Sequence, residues 1–212
     1  MTILMNSVTQ LKRSLRKEIG ARLKEVPLAT VAKESEQVTK QLLSLDIYKQ
    51  SRNVSVFISL PHSEIDTRAI IHAILHASDG KSLYVPRWTK DSMDMVKLTS
   101  WEAYQALPVN KWNIPEPPHD QPMETALETE GLDLILVPAM AFDTERNRIG
   151  HGKGYYDRYL EKCRNWAIQH HTNSPVTIGL ALEAQLLDSE VIPIETTDKK
   201  LDWVLTSNKI IH

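Results

Sequence analysis

Leu132-Asp133-Leu134-Ile135-Leu136-Val137-Pro138 is followed, after a short loop, by Arg146-Asn147-Arg148-Ile149-Gly150-His151-Gly152-Lys153-Gly154-Tyr155-Tyr156-Asp157. The first run carries the strongest strand signal in the chain, and Pro138 ends it. The second leads into a helix marked by Tyr156, Tyr159, Leu160 and Cys163. Three of the seven glycines fall at 150, 152 and 154. Strand, glycine loop and helix together present backbone N–H groups and a helix N-terminus to an anion, and missing β-carbons let the chain approach phosphate oxygens. A helix end supplies only about 0.3–1 kcal/mol at an exposed site. Arg148 and Lys153 would therefore carry most of the charge neutralisation. Gly-x-Gly-x-Gly alone is a weak pattern, and a flexible turn with a solvated basic fringe explains it equally well. It is not a P-loop, which ends Gly-Lys-Ser/Thr, nor a dinucleotide fingerprint, whose last glycine stands further from the second.

Working outward, Val8, Leu11, Leu15, Ile19 and Leu23 recur at helical steps, with Lys12, Arg13, Arg16 and Lys17 beside the stripe. Val31, Val38, Leu42 and Leu45 predict a second helix. Val54 to Leu60 reads as a strand stopped by Pro61. Asp66-Thr67 is placed to cap a helix carrying Ile70, Ile71, Ile74 and Leu75. Leu83-Tyr84-Val85 predicts a short strand stopped by Pro86, Met93 to Leu98 another, and Trp101 to Leu107 a short helix. Val176 to Leu182 and Asp202 to Thr206 are the last strands. Pro108 to Pro122 holds five of the eleven prolines, which suits an ordered excursion over the surface. Strands alternating with helices predict an α/β fold, a mainly parallel sheet with helices on both faces. Ligands gather at the carboxyl ends of such strands, so the turns after Leu60, Val85 and Val137 are the places to search.

The chain has 212 residues, suiting one domain over 1–212. A formal charge of -2 argues against a partner such as duplex nucleic acid. One cysteine, Cys163, excludes an internal disulfide and a multi-cysteine metal site, and its helical neighbours mark it as core filler. No apolar run is long enough for a membrane span, and residues 1–10 lack a signal-peptide pattern. Cytoplasm is the expected compartment, with a mitochondrial fraction as the alternative.

Val137-Pro138-Ala139-Met140-Ala141-Phe142-Asp143 with Arg148-Ile149-Gly150-x-Gly-x-Gly-Tyr155-Tyr156-Asp157 resembles the signature of the 5-formyltetrahydrofolate cyclo-ligase (methenyltetrahydrofolate synthetase) family. Lys12-Arg13-Ser14-Leu15-Arg16, Phe57-Ile58-Ser59 with Glu64-Ile65, and Tyr84-Val85-Pro86-Arg87 resemble it too. So do Met93-Asp94-Met95-Val96 and Trp112-Asn113-Ile114-Pro115-Glu116-Pro117. The likeness covers nearly the whole chain in order and is nearest to eukaryotic members. Pro61-His62-Ser63 departs by one extra residue, and His151 stands where members carry glycine, arginine or tyrosine.

The resemblance implies a three-layer α/β/α sandwich similar to ribose-5-phosphate isomerase and coenzyme A transferases. It implies ATP as co-substrate and Mg2+ as cofactor. Lys12 and Arg16, one helical turn apart on one face, would reach the ATP phosphates; their plain alternative is a solvated face. The ATP loop would run through Arg148, Gly150, His151, Gly152, Lys153, Gly154, Tyr155 and Tyr156, with Lys153 and Arg148 as catalytic residues and no role singled out for His151. Asp157 and Asp198 would ligate the metal, with a first-turn helix acid and a loop cap as their alternatives. Ile58 and Glu64 would contact folate, and Met95, Trp112, Tyr155 and Tyr156 would wall its rings. Met95 and Trp112 serve equally well as core residues.

The implied reaction uses MgATP to phosphorylate the formyl oxygen of 5-formyltetrahydrofolate. Nitrogen ten then closes the ring to 5,10-methenyltetrahydrofolate with release of ADP and phosphate. Phosphoryl transfer asks for positioning and charge stabilisation rather than a protein nucleophile, and the chain shows no Ser-His-Asp or Cys-His set. The partners expected are small molecules, with a monomer the expected state. A non-catalytic binding module on the same scaffold, and a coenzyme A transferase with Glu64 as nucleophile, are the competing readings.

Overall fold

The computed structural model describes residues 2–110, 114–187 and 192–212, the side chains of residues 2–7 apart. Strand β4 (Leu134–Val137) is buried at every position, as a strand covered on both faces must be. It pairs in parallel with β1 (Asn53–Ser55) on one side and β7 (Val176–Leu180) on the other. Beyond β1 lie β2 (Ser82–Trp88), parallel, and β3 (Met93–Leu98), antiparallel. Beyond β7 lie β9 (Trp203–Leu205), parallel, and β10 (Ile210–Ile211), antiparallel. The seven-stranded order is β10-β9-β7-β4-β1-β2-β3. A smaller sheet, ordered β6-β5-β8, joins Arg148–Ile149, Ala141–Asp143 and Leu186–Leu187.

The helices are α1 (Thr2–Lys24), α2 (Leu28–Ser44), α3 (Asp46–Gln50), α4 (Arg68–Leu75), α5 (Trp101–Gln105) and α6 (Tyr155–Gln169). The crossover β1–α4–β2 runs toward one edge of the sheet and β4–α6–β7 toward the other. Right-handed connections in opposite directions put α4 and α6 on opposite faces. Helix α2 packs beside α4, burying Val31, Ser35, Val38, Thr39 and Leu42 at helical spacing. Full burial of Leu42 is worth about 1.5–3 kcal/mol. Among the described residues no helix is long and apolar enough to cross a membrane.

The chain turns back at the boundary between β1 and β4, from which successive strands are laid down in opposite directions. The loops leaving those two adjacent strands diverge and leave a crevice between them. The β1 loop carries Glu64, and the β4 loop carries the glycine segment.

Four sequence readings need correction. The strand read over Val54 to Leu60 is confined to Asn53–Ser55, and residues 56–60 already belong to the loop that leads to Glu64. Pro86 does not end its strand: β2 continues to Trp88 and pairs through Pro86 with Met95. Ser82 donates to Arg52 O, so positions 84 and 86 face the same neighbour, and β1 has already ended where Pro86 lacks its donor. On α1 the expected stripe is displaced: Leu11 is 56% exposed and Lys12 is 7% exposed. At α4, Thr67 gives no side-chain cap; its hydroxyl donates to Phe57 O at 2.7 Å, while Asp66 Oδ1 accepts the Arg68 N–H at 3.0 Å. The 108–122 excursion is held down by Glu116 N to Pro108 O (2.9 Å) and Arg87 Nη1 to Gln121 O (3.0 Å). A neighbouring segment runs along edge strand β3, with Lys97 N donating to Glu124 O at 2.9 Å and Val96 bridging Thr125.

Candidate active site

The glycine segment is braced from behind by a buried carboxylate. Asp143, 1% exposed, accepts from Asn147 N (2.8 Å), Asn147 Nδ2 (2.9 Å) and Ile192 N (2.8 Å). Arg146 takes φ 67° within this turn, and its carbonyl accepts from Leu201 N. Thus the chain after 192 is tied to the base of the loop. Gly152 (φ 94°) and Gly154 (φ 65°) are left-handed, a conformation that side-chain-bearing residues resist. At Gly152 a β-carbon would also stand 3.3 Å from the Arg16 guanidinium carbon. Gly154 is the N-cap of α6 and offers no side chain to its first amides, which leaves those donors for an anion.

Arg16 reaches this loop from α1, Arg148 and Lys153 belong to it, and Lys12 is bonded to the late loop beyond residue 192. Arg16 Nε donates to Gly150 O at 2.7 Å. Lys12, one turn earlier, donates to Glu195 Oε2 at 2.9 Å and to Asp198 Oδ2. Burial works against the Lys12 charge, but bonds to Asp198 and then Glu195 outweigh it, and its pKa is raised. Arg148, 8% exposed, donates through Nη2 to Asp157 Oδ1 at 2.7 Å and lies over the Tyr156 ring, 5.8 Å from its centroid. The Lys153 side chain is exposed.

Asp157 and Asp198 come from α6 and the late loop, and the loop is stitched to Asp157 by Lys199 N at 3.1 Å. Asp157 is bonded through Oδ1 alone and Asp198 through Oδ2 alone among the described residues. One oxygen of each remains for a cation, and an all-oxygen donor set suits Mg2+. No cluster of three or more metal-ligating side chains occurs among the described residues, so phosphate and water would complete the shell. The residues present fit a hydrated magnesium held jointly with a polyphosphate.

Glu64 is 7% exposed and accepts the Leu60 N–H through Oε2 at 2.7 Å. His62 in this loop takes a left-handed φ of 70°. Burial pushes the Glu64 carboxyl up to about 7, against the pull of the Leu60 amide. The Tyr156 hydroxyl is buried without a partner among the described residues, and burial and then the Glu64 charge raise its pKa. Arg148 Nε is likewise buried and unpartnered among those residues. Two unmet donors and a half-used carboxyl in one region are costly unless a ligand completes them. Beside them a cleft of about 630 Å³ is lined by Gly20, Leu23, Val26, Glu64, Met140 and His151 among others.

Tyr155 packs edge-on to Trp88 at 5.0 Å and donates to Lys90 O at 3.0 Å; Ile58, Tyr155 and Tyr156 are not among the residues that line this cleft. Ile58 is half-buried against the core. Met95 is fully buried and accepts from the Ser55 hydroxyl at 3.0 Å, so its surroundings are those of a core residue and it is not brought to the cleft. Trp112 lies outside the described residues. Cys163 is 2% exposed, its thiol pushed up to about 12 by burial, which agrees with core filler. His151 is exposed overall, yet partial burial of its ring and then the Arg16 charge hold its pKa below the usual histidine value.

Sequence reasoning missed Glu195, Asp143, Trp88 and Met140. Glu195 stands in a short loop with no periodicity to mark it. Asp143 lies inside the resembling signature, and its spacing to Asn147 is the one available sign of a side-chain-bonded turn.

A family model described as the 5-formyltetrahydrofolate cyclo-ligase family matches residues 8–207. The chain belongs to the 5-formyltetrahydrofolate cyclo-ligase family. A relative named 5-formyltetrahydrofolate cyclo-ligase in Mus musculus is 38% identical over 201 residues, covering 94% of this chain and 95% of its own. One named probable 5-formyltetrahydrofolate cyclo-ligase in Schizosaccharomyces pombe is 33% identical, covering 95% of this chain and 97% of its own. The solution structure of the Aquifex aeolicus 5,10-methenyltetrahydrofolate synthetase superposes with a TM-score of 0.73 at 26% identity, over 94% of this chain and 91% of that one. The cyclo-ligase likeness thus spans both loops of the β1/β4 crevice.

Proposed function

We propose that this chain is an ATP- and Mg2+-dependent 5-formyltetrahydrofolate cyclo-ligase, converting 5-formyltetrahydrofolate to 5,10-methenyltetrahydrofolate with release of ADP and phosphate. The observation that carries this reading is the gathering of Lys12, Arg16, Arg148, Asp157 and Asp198 around the glycine loop in a chain of this family. Lys12, Arg16 and Lys153, with the open amides of α6, bind the triphosphate. Magnesium held by Asp157 and Asp198 supplies Lewis-acid stabilisation of phosphate charge. Reduced folate enters the cleft lined by Glu64, and its rings extend from there toward Ile58, Tyr155 and Tyr156.

Arg148 and Lys153 stabilise the γ-phosphoryl group as it passes to the formyl oxygen, a step needing aligned charge rather than a nucleophile. Nitrogen ten attacks the activated carbon, the formyl oxygen departs with phosphate, and the proton on nitrogen ten is lost. The unmet hydroxyl of Tyr156 and the second oxygen of Glu64 are suited to holding the folate's polar edge. We further propose one domain over 1–212, a cytosolic monomer, and small molecules rather than nucleic acid or membrane as partners.

Mixing purified protein with 5-formyltetrahydrofolate and following the methenyl-folate absorbance tests this reading. A rise that requires both protein and MgATP supports it. No rise with MgATP present, while either ligand still binds, overturns it in favour of a non-catalytic binding module.

A further inference from the structure

The ammonium of Lys12 is shared between two carboxylates. Nζ donates to Glu195 Oε2 at 2.9 Å and to Asp198 Oδ2, on a residue only 7% exposed. Neither carboxylate is a freely waving side chain. Glu195 N donates to Asp198 Oδ2 at 2.7 Å and Asp198 N to Glu195 O at 3.0 Å, a closed turn that fixes the Asp198 carboxylate against the Glu195 backbone, while the Glu195 carboxylate is held by Lys12. Asp198 has an assigned role toward the metal in the reading above; Glu195 has none. One positive and two negative charges leave this group at minus one. A polyphosphate reaching for Lys12 meets that surplus, in a part-buried setting where like charges repel more strongly than in water. A divalent cation bound at Asp198 turns the same group to plus one.

We propose that Glu195 is a positioning residue that makes nucleotide binding depend on the divalent cation: with Asp198 it holds the Lys12 ammonium and keeps metal-free phosphates from it. This inference rests on the reading of Lys12 as a phosphate contact and Asp198 as a cation ligand. Glu195 need not touch nucleotide or metal. Its charge raises the electrostatic barrier to a bare polyphosphate, and metal at Asp198 cancels that barrier. The site thereby discriminates MgATP from free ATP through a residue outside the glycine loop.

The test is ADP binding by isothermal titration calorimetry, in Mg2+ and in EDTA, for wild type and Glu195→Gln. The amide keeps an acceptor for Lys12 and removes the charge. In the variant, metal-free ADP should bind about tenfold tighter, equivalent to about 1.4 kcal/mol, while Mg-ADP changes by less than about threefold. The ratio of the two affinities therefore narrows. An unchanged ratio, or equal weakening of both, overturns the inference and leaves Glu195 a mere prop for Lys12. Should Glu195→Gln fail to fold, Glu195→Ala removes the same charge, and the same narrowing or its absence decides. Wild type that binds ADP in neither condition would instead refute the nucleotide reading itself, and this inference with it.

Discussion

Replacing Glu64 by glutamine should change how stability depends on pH, and the size follows from where the side chain lies. The carboxyl is 7% exposed and its midpoint moves from 4.5 to about 7, with burial as the main cause. A carboxyl whose midpoint is raised on folding favours the folded state while protonated, and that contribution is lost as pH rises from about 4.5 through about 7. At 1.36 kcal/mol for each pH unit of displacement, the loss amounts to about 3 kcal/mol, an upper bound. Glutamine does not ionise and can still accept the Leu60 amide. Measured as the difference from wild type in urea unfolding, which cancels every other titrating group, Glu64→Gln should gain about 3 kcal/mol between pH 4.5 and pH 8. Parallel pH profiles for the two proteins would refute the argument, since they would mean that Glu64 ionises in the fold as it does in the unfolded chain.

Lys153→Ala should lower methenyl-folate formation by about 100-fold or more while leaving the denaturation midpoint unchanged, because the side chain is exposed. Asp157→Asn should raise the magnesium concentration needed for half-maximal turnover, and it should cost about 1–3 kcal/mol in thermal stability by leaving the buried Arg148 guanidinium without its charged partner. Gly152→Ala, at φ 94° and against the Arg16 head, should destabilise by about 1–2 kcal/mol in chemical denaturation and weaken nucleotide binding. Because His151 is held below the usual histidine range, calorimetric nucleotide affinity should be flat between about pH 7 and 8, and His151→Gln should superimpose on wild type there.

The buried strand Leu134–Val137, the helix after Gly154 and the parallel class were legible because burial on both faces writes a continuous apolar run. The small sheet was not, since strands of two or three residues such as Arg148–Ile149 leave no period to read. Pro86 misled because a missing donor stops a strand only where a neighbour needs that donor. Lys12 was placed beside an apolar stripe, and the structure buries it within the packed face while exposing Leu11. Periodicity ranks residues by hydropathy and cannot know that two acids, 183 and 186 residues later, make an ammonium welcome inside. For the site, residue types and the family pattern located both loops of the crevice. Glu195, whose contacts are wholly tertiary, left no trace in the chain order.

The outer border of β3 bears on solubility. An unpaired strand border offers a row of amides and carbonyls onto which another polypeptide can template itself, the first step toward fibrillar deposits. Here the segment around Glu124 and Thr125 occupies part of that row, and at the opposite end of the sheet β10 is only two residues long. A sheet of seven strands thus presents little length for illicit β-augmentation. The protection at β3 is supplied by a connecting stretch, which makes that stretch a place where substitutions would be felt first as poor yield.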